Sequence, residues 1–333
     1  MTDLAKLDEE IQELRTAARS LRQALDSRFI GQEETVERLL YALLAGGHVL
    51  LEGAPGLGKT TLVHALSDGV DLDFQRLQCT PDLMPSDVLG TRMLHVHEET
   101  GARRFEFEPG PVFTHVLLAD EVNRATPRTQ SALLEAMQEA QVTLHGKTHE
   151  LEAPFFVVAT QNPIEMEGTY PLPEAQLDRF LFKLEIGLPS EADLSRILGA
   201  TTGAPQGPVP RCLTRPQVLR LQEIVREIPA ASTIVEAVSR IILATHPDHP
   251  SASDDVKSFV RHGAGLRAGQ SILLASKARA LLAGRLHINE SDVSAVAAPA
   301  LKHRVIQSYE GEAAGVDLGE LLGAVVTAVI GQA

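Results

Sequence analysis

The chain has 333 residues, 44% of them apolar, so it is long enough to bury a large core and suggests roughly two domains. Its 44 acidic residues outnumber 30 basic ones and give a net charge of −14, which argues against a duplex nucleic-acid surface built from clustered Lys and Arg. No apolar stretch approaches the ~20 residues of a membrane span, and the acidic N-terminus is unlike a signal peptide, so we expect neither a transmembrane segment nor secretion.

Residues 1–28 predict an amphipathic N-terminal helix. Apolar residues recur there at spacings of three and four, which places them on one narrow stripe. The helix either packs on the core of its own chain or forms a coiled coil with another chain, for which three heptads are marginal. The stripe consists of Leu4, Leu7, Ile11, Leu14, Ala18, Leu21 and Leu25.

Residues 29–188 predict an α/β core. Short apolar runs alternate with helical stretches, which is typical of a parallel sheet with helices on both faces. Ligands of such sheets lie at the carboxyl ends of the strands. The predicted strands are residues 48–51, 74–78, 115–118, 155–159 and 180–186, and the predicted helices are residues 33–44, 60–66 and 129–139.

A nucleotide-binding loop follows the first of these strands. Its sequence matches the pattern G-x-x-x-x-G-K-S/T, in which backbone N–H groups turn inward on phosphates. Lys59 can reach the β- and γ-phosphates, the Thr60 hydroxyl can ligand Mg²⁺, and the helix starting there directs its positive end at the same anion. We therefore predict that ATP or GTP binds with Mg²⁺ at Gly53, Ala54, Pro55, Gly56, Leu57, Gly58, Lys59, Thr60 and Thr61.

Three polar residues stand where two further strands end. Asp120 and Glu121 follow the apolar run 116–119, and Asn162 follows the next strand along the chain. We predict that Asp120 holds Mg²⁺ together with Thr60, that Glu121 polarises an attacking water, and that Asn162 orients this water. A plainer interpretation stays open, because acidic residues often mark the exit of a buried strand and Asn before proline often forms a turn.

Two inserts with alternating apolar and polar residues predict β-hairpins. The first pairs residues 92–97 with 104–108, and the second pairs residues 142–144 with 148–151. At the tip of the second hairpin, His145 and Lys147 are either solvated turn residues or contacts to a substrate.

Metal ligands are sparse along the chain. His95 and His97 could bind a metal from one strand face, but no third ligand with suitable spacing is evident. Cys79 and Cys212 are far apart and lack C-x-x-C spacing, which argues against a disulfide framework or a zinc site. We therefore expect a cytoplasmic protein.

Residues 189–333 predict a linker followed by a helical domain. Residues 202–210 are rich in Gly and Pro and are typical of an exposed loop. The segments after this loop have helical apolar spacing with few strand signals. The predicted helices are residues 217–228, 231–244, 269–284 and 290–303.

The order of four motifs resembles the MoxR family of AAA+ ATPases. The motifs are the phosphate loop, residues 118–125 (LADEVNRA), residues 159–163 (ATQNP) and residues 168–180 (GTYPLPEAQLDRF). Residues 78–90 and 108–113 also resemble that family, so the similarity covers nearly the whole chain from Ile30 onward. The resemblance implies an α/β fold, with a AAA+ P-loop parallel-sheet core flanked by helices and a C-terminal all-helical lid domain.

The resemblance also implies roles for the residues of the predicted site. Residues 53–60 would be the Walker A motif, Asp120 and Glu121 the Walker B motif, and Asn162 sensor 1. The family's adenine-contacting segment, which would favour ATP, corresponds to Ile30, Gly31 and Gln32.

Two arginines would complete the site. Arg179 resembles an arginine finger that acts on the nucleotide of the neighbouring subunit, with an ion pair to Asp178 or a nearby acidic residue as the alternative. Arg267 resembles sensor 2, which would reach the phosphates of its own subunit. Gly265 and Leu266 stand where the family pattern has serine and proline, so we expect the helix carrying Arg267 to be poorly capped.

Proteins of this family form ring hexamers and act as chaperone-like machines, often with von Willebrand factor A-domain proteins. The resemblance therefore implies a homo-oligomer, a partner of that class and a protein client. The hairpin at residues 142–151 would face the pore, and the insert at residues 92–108 would be the extra element of this clade.

Other functions stay open. A nucleic-acid-associated AAA+ motor is disfavoured by the net charge of −14, and no direct contact with nucleic acid is expected. A switch that binds nucleotide without hydrolysis is disfavoured by Glu121, Asn162 and Arg179. A magnesium chelatase-like ATPase subunit would share the fold, but nothing in the sequence identifies a porphyrin site.

Overall fold

A five-stranded parallel sheet forms the centre of the structure, a computed structural model that describes residues 3–96, 103–144, 146–163, 168–203 and 207–331. In chain order, the strands are β1 (Val49–Gly53), β2 (Phe74–Gln78), β3 (Gly90–Val96), β4 (Arg103–Pro109), β5 (Val116–Asp120), β6 (Gln141–Leu144), β7 (Lys147–Glu150), β8 (Phe156–Gln161), β9 (Phe182–Ile186), β10 (Val260–His262) and β11 (Ile306–Gln307). The central sheet has the order β2-β5-β8-β1-β9, and its neighbouring strands are parallel. The predicted parallel sheet is therefore confirmed.

Helices cover both faces of this sheet, and further helices form the C-terminal part of the chain. Most of the segments with clear apolar periodicity are helical as predicted. Six helices were not predicted, at residues 85–89, 174–177, 191–201, 254–259, 309–313 and 318–330. In chain order, the helices are α1 (Asp3–Asp26), α2 (Glu33–Ala45), α3 (Lys59–Gly69), α4 (Pro85–Leu89), α5 (Pro127–Glu139), α6 (Glu174–Leu177), α7 (Glu191–Thr201), α8 (Arg215–Glu227), α9 (Ser232–Ala244), α10 (Asp254–Phe259), α11 (Leu266–Ala283), α12 (Glu290–Leu301), α13 (Tyr309–Ala313) and α14 (Leu318–Ile330).

The strand β5 shows why the sheet needs helices on both sides. All five of its residues are buried. Val116 and Leu118 pack into the larger apolar core on one face, whereas Leu117 and Ala119 pack into the smaller core on the other. Successive side chains of a strand point to opposite faces, so a strand covered on both faces needs a continuous apolar run.

The N-terminal helix α1 packs on its own chain. The stripe residues Ile11, Leu14, Ala18, Leu21 and Leu25 are buried against α2, α3 and α11. The structure therefore supports the first interpretation, in which this helix packs on the core of its own chain. Among the described residues, no helix is both long and apolar enough to cross a bilayer.

Two antiparallel hairpins lie outside the central sheet, as predicted. β3 pairs with β4, and β6 pairs with β7. The Phe107 ring stacks on the His149 ring with centroids 4.1 Å apart, so the hairpins touch each other. Lys147 is exposed on the second hairpin, while His97 and His145 lie outside the described residues.

The C-terminal helices form a bundle in which α11 contacts α9 and α12, and α14 contacts α9 and α12. A short antiparallel pair, β10 with β11, is inserted into this bundle, so the predicted helical domain also contains two brief strands. The helix α11 begins at Leu266 with Gly265 as its N-cap and without a side-chain cap, as the sequence indicated.

A set of hydrogen bonds, which we call the lid–core contact, joins the end of α12 to residues 178–181 before β9. His303 Nε2 lies 2.9 Å from the carbonyl oxygen of Phe180. Arg304 donates to the Asp178 carboxylate at 2.7 Å and to the carbonyls of Asp178, Phe180 and Leu181 at 2.7–3.3 Å. Because Arg304 is buried, these acceptors are what offset the cost of removing its charge from water.

His48 is a buried histidine that the fold holds in its neutral form. Its Nδ1 accepts the Val157 N–H at 3.1 Å, and its Nε2 lies 3.0 Å from the carbonyl oxygen of Met137. Only a neutral imidazole can accept one bond and donate the other. Burial lowers the pKa of His48 to about 4, and burial together with the Arg304 charge lowers the pKa of His303 to about 3.

We predict that acid destabilises the protein between pH 6.5 and 4. An unfolded histidine with a pKa near 6.5 takes up a proton in this range while folded His48 does not, so stability present above pH 6.5 is lost as the pH falls. For His48 alone, the free energy of unfolding should fall by about 2 kcal/mol between pH 7 and 5. Urea unfolding of wild type and His48→Gln at both pH values measures this difference.

The exposed His287 provides the matched control. In His287→Gln, the free energy of unfolding should depend on pH as it does in wild type. In His48→Gln, the fall in this free energy between pH 7 and 5 should be about 2 kcal/mol smaller than in wild type, whether or not the substitution changes stability at pH 7. Equal pH dependence in wild type and His48→Gln would contradict the neutral, buried role of His48.

Candidate active site

The phosphate loop lies between β1 and α3, as the sequence predicted. Gly56 and Gly58 have φ values of 82° and 79°, a left-handed region that residues with a side chain rarely adopt. This backbone turns the loop around the N-terminal end of α3, which begins at Lys59. Such a helix end presents unpaired N–H groups and a partial positive charge to an anion.

Lys59 folds back over the loop. Its Nζ donates to the carbonyl oxygen of Ala54 at 3.1 Å and also to that of Gly53. Partial burial lowers the pKa of Lys59, while the negative charges of Asp120, Glu121 and Glu52 act in the opposite direction. The ammonium is therefore held over the concave side of the loop.

The carboxylate of Asp120 is buried at the end of β5. Its Oδ1 accepts from the Thr160 hydroxyl at 2.6 Å. Its Oδ2 accepts from Arg76 Nη2 at 2.6 Å and Nε at 3.2 Å, and lies 3.5 Å from the Thr60 hydroxyl. The predicted pair of Thr60 and Asp120 is therefore brought together.

The Thr60 and Asp120 side chains fit the Mg²⁺ that the loop motif implies. A hydroxyl and a carboxylate are the hard oxygen ligands that Mg²⁺ prefers. Asp120 also already binds a cationic group, the Arg76 guanidinium, so this position favours positive charge. These residues would hold Mg²⁺ at the phosphates.

Glu121 adopts a strained backbone directly after the strand. Its φ and ψ are 56° and 51°, which is uncommon for a residue with a side chain and frequent at functional sites. The Glu121 N–H donates to the Thr160 hydroxyl at 2.8 Å. Its Oε2 accepts from Gln78 Nε2 at 3.1 Å and from Arg124 Nη1 at 2.9 Å. The carboxylate is therefore aimed by contacts from two neighbouring segments.

These groups surround one pocket of about 380 Å³ at the carboxyl end of the sheet. The structure brings together the phosphate loop, both acidic residues and the buried Asn162, as predicted from the strand ends. Sequence reasoning missed Arg76 and Gln78. Both lie on β2, whose position beside β5 is a property of the sheet order that periodicity does not reveal.

The predicted adenine segment does not line this pocket. Gly31 has a φ of 76° and lies against the Asp193 side chain near the start of α7. The role of Ile30, Gly31 and Gln32 stays a prediction.

Arg179 and Arg267 line a different pocket, of about 210 Å³. This pocket also contains Gly47 and Leu181, which precede β1 and β9, so it lies at the amino end of the sheet. The five residues of β1 separate the two edges by about 16 Å at ~3.3 Å per residue. The expectation that Arg267 reaches the phosphates of its own subunit is therefore not met in this structure.

The Asp178 carboxylate contacts two other arginines, Arg304 and Arg267. Its Oδ1 lies 2.7 Å from Arg304 Nε, and its Oδ2 lies 3.7 Å from Arg267 Nε. Within the described ranges, Arg179 makes no ion pair with an acidic residue, so the alternative of an Arg179–Asp178 salt bridge is not seen. Sequence reasoning missed Arg304, because its partner lies 126 residues away along the chain.

Two family models match the chain. Residues 48–182 match the ATPase family associated with various cellular activities (AAA), and residues 253–321 match the AAA lid domain.

The chain is also similar to curated proteins along most of its length. It is 44% identical to chaperone MoxR1 of Mycobacterium tuberculosis over 281 residues, which are 84% of this chain and 73% of that protein. It is 29% identical to protein MoxR of Paracoccus denitrificans, covering 91% of this chain and 92% of that protein.

A crystal structure from Cytophaga hutchinsonii has a closely similar fold. The protein, whose designation as an ATPase is provisional, superposes with a TM-score of 0.90 and 35% sequence identity, covering 98% of both chains.

We predict that Thr160 stabilises the end of β5. Thr160→Val keeps the shape of the side chain but leaves the Glu121 N–H and Asp120 Oδ1 without their shared hydroxyl. The free energy of unfolding should fall by about 2 kcal/mol, because a buried polar group that loses its partner costs about 1–3 kcal/mol. Urea unfolding measures the change.

Thr143→Val is the matched control, since the Thr143 hydroxyl bonds Thr148 on an exposed hairpin. Its effect should stay within about 0.5 kcal/mol. A Thr160→Val protein as stable as this control would contradict the role assigned to the hydroxyl.

Proposed function

Because this chain belongs to the MoxR family of AAA+ ATPases, we propose that it hydrolyses ATP in the phosphate pocket and uses this reaction to remodel protein complexes. The observation that carries the proposal is the convergence of Lys59, Thr60, Asp120, Glu121 and Asn162 on that pocket. Each of these residue types supplies one function that phosphoryl transfer to water requires.

The loop and Lys59 bind the phosphates. Backbone N–H groups at the start of α3 face the anion, and the Lys59 ammonium neutralises charge on the β- and γ-phosphates. Thr60 and Asp120 hold Mg²⁺, which when bound neutralises charge on the phosphate oxygens.

Glu121 serves as the base. Its carboxylate accepts the proton of a water that the Asn162 amide orients toward the γ-phosphate. Oε2 of Glu121 is already shared by Gln78 and Arg124, which leaves Oε1 as the oxygen that can face this water.

Arg179 and Arg267 act in trans. Both are cations at the sheet edge opposite their own phosphate loop, and Arg179 makes no ion pair among the described residues. Leu266, next to Arg267, is largely exposed, which supports burial of this edge against a second copy. In a homo-oligomeric ring, proposed to be a hexamer, this edge would meet the neighbour's nucleotide.

Two observations support the remodelling function: the name of a relative and the exposed apolar side chains of a hairpin. A relative with 44% identity is named a chaperone. The hairpin of β3 and β4 exposes Met93, Leu94 and Phe105, apolar side chains suited to contact with a protein. The proposed partners are a client protein and a von Willebrand factor A-domain protein, in the cytoplasm.

We predict that Glu121→Gln binds ATP but turns it over at least about 100-fold more slowly, since a positioned general base contributes about 10²–10⁴ in rate. Phosphate release measures turnover, and a fluorescent ATP analogue measures binding. Glu174→Gln, which removes an exposed carboxylate outside the pocket, is the charge-matched control. Normal turnover by Glu121→Gln would show that Glu121 is not the base.

We predict that Arg179→Ala loses about 10³-fold in turnover, the contribution of arginine fingers in other NTPases. Mixing Arg179→Ala with Lys59→Ala should restore part of the activity, because some interfaces then combine an intact loop with an intact arginine. Phosphate release across mixing ratios measures the recovery.

Lys59→Ala mixed with Glu121→Gln is the control for this experiment. Each of these subunits carries damage in its own pocket, so no ratio should restore turnover. If the Arg179→Ala mixture behaves like this control, or if a monomeric wild type works at full rate, the trans assignment is wrong.

A further inference from the structure

Arg76 connects the two acidic residues of the pocket. It lies on β2, where the parallel register pairs Arg76 with Leu118 and Gln78 with Asp120. Arg76 Nη2 lies 2.6 Å from Asp120 Oδ2 and 2.7 Å from Gln78 Oε1. One guanidinium therefore holds both the carboxylate that would bind Mg²⁺ and the neighbouring amide.

The Asp120 oxygen that faces Thr60 has its acceptor capacity filled. A carboxylate oxygen offers about two lone-pair sites. At Oδ2 these are engaged by Arg76 Nη2 at 2.6 Å and Nε at 3.2 Å, with the Thr60 hydroxyl as a longer contact at 3.5 Å, while Oδ1 accepts from Thr160. A metal ion or its bound water can therefore use Oδ2 only if the guanidinium gives up at least one of these bonds.

The same guanidinium reaches Glu121 through Gln78. The Gln78 amide accepts from Arg76 through Oε1, and its Nε2 donates to Glu121 Oε2 at 3.1 Å. The orientation of this amide is fixed by its two contacts, because only the oxygen accepts and only the nitrogen donates. Three hydrogen bonds, through Arg76 and Gln78, therefore link the Asp120 carboxylate to that of Glu121.

We propose that Arg76 is a positioning residue that competes with Mg²⁺ for the Asp120 carboxylate. This inference rests on the proposed ATPase function. The half-exposed Arg76 side chain is free to withdraw toward solvent, and Mg²⁺ with bound nucleotide supplies the charge that replaces it at Asp120.

The test compares nucleotide binding with and without the metal. A fluorescent, non-hydrolysable ATP analogue is titrated into wild type and Arg76→Gln, once with excess Mg²⁺ and once with EDTA. In wild type, Mg²⁺ must displace the guanidinium, whereas in Arg76→Gln it need not. The ratio of the Kd in EDTA to the Kd in Mg²⁺ should therefore rise about three- to tenfold in the variant, since a partly exposed ion pair is worth little more.

Arg124→Gln is the matched control. It removes a cation that contacts Glu121 but not Asp120, so it changes the local charge without removing the competitor. Its Kd ratio should stay within about twofold of wild type. An equal rise in both variants would show that charge alone sets the ratio and would overturn the proposal.

Two further outcomes are decisive. If Arg76→Gln weakens binding equally in Mg²⁺ and in EDTA, Arg76 is a phosphate ligand and the proposal is wrong. If Arg76→Lys, which keeps the charge but lacks the planar fork, shows an intermediate ratio, the geometry of the guanidinium is supported. Failure of the proposed function looks different, because wild type would then bind no nucleotide under either condition.

Discussion

The carboxylate of Asp120 is the group on which the rest of the site depends. It stands at the end of a strand that is buried on both faces, and the protein surrounds it with a hydroxyl and a guanidinium. An acidic group in this position cannot be left without partners, because burying an unpaired charge costs far more than a typical hydrogen bond gains. Because the Asp120 carboxylate needs hydrogen-bond donors, the side chains of Thr160 and Arg76 are held against it. The Thr160 hydroxyl in turn accepts from the Glu121 N–H and so positions the Glu121 backbone.

The sheet order converts this local requirement into a site. β5 lies between β2 and β8, and β8 lies beside β1, so four strands end at the same edge. Each contributes a different chemical group: an amide and a guanidinium from β2, carboxylates from β5, a hydroxyl from β8, and the phosphate loop from β1. Parallel strands make this possible because their carboxyl ends all meet at one edge.

The sequence predicted the parts of the site that follow a motif or a strand end. The loop at residues 53–60, the acids Asp120 and Glu121, and Asn162 were all identified without knowledge of the strand order. Arg76 and Gln78 were not, since a strand's neighbours are set by long-range pairing. The position of Arg267 was misjudged for a similar reason. The C-terminal helices place Arg267 at the amino end of the sheet, where Arg304 contacts Asp178, and apolar periodicity does not reveal such a long-range contact.

The lid–core contact has a mechanical consequence. Arg304 and His303 fasten the end of α12 to the segment that carries Arg179, and Asp178 ties Arg267 to the same segment. Because residues 178–181 lead directly into β9, this contact also joins the C-terminal helices to the central sheet. If Arg179 and Arg267 serve the adjacent protomer, a movement of the C-terminal helices that preserves the contact would displace both positive charges together at the neighbour's pocket.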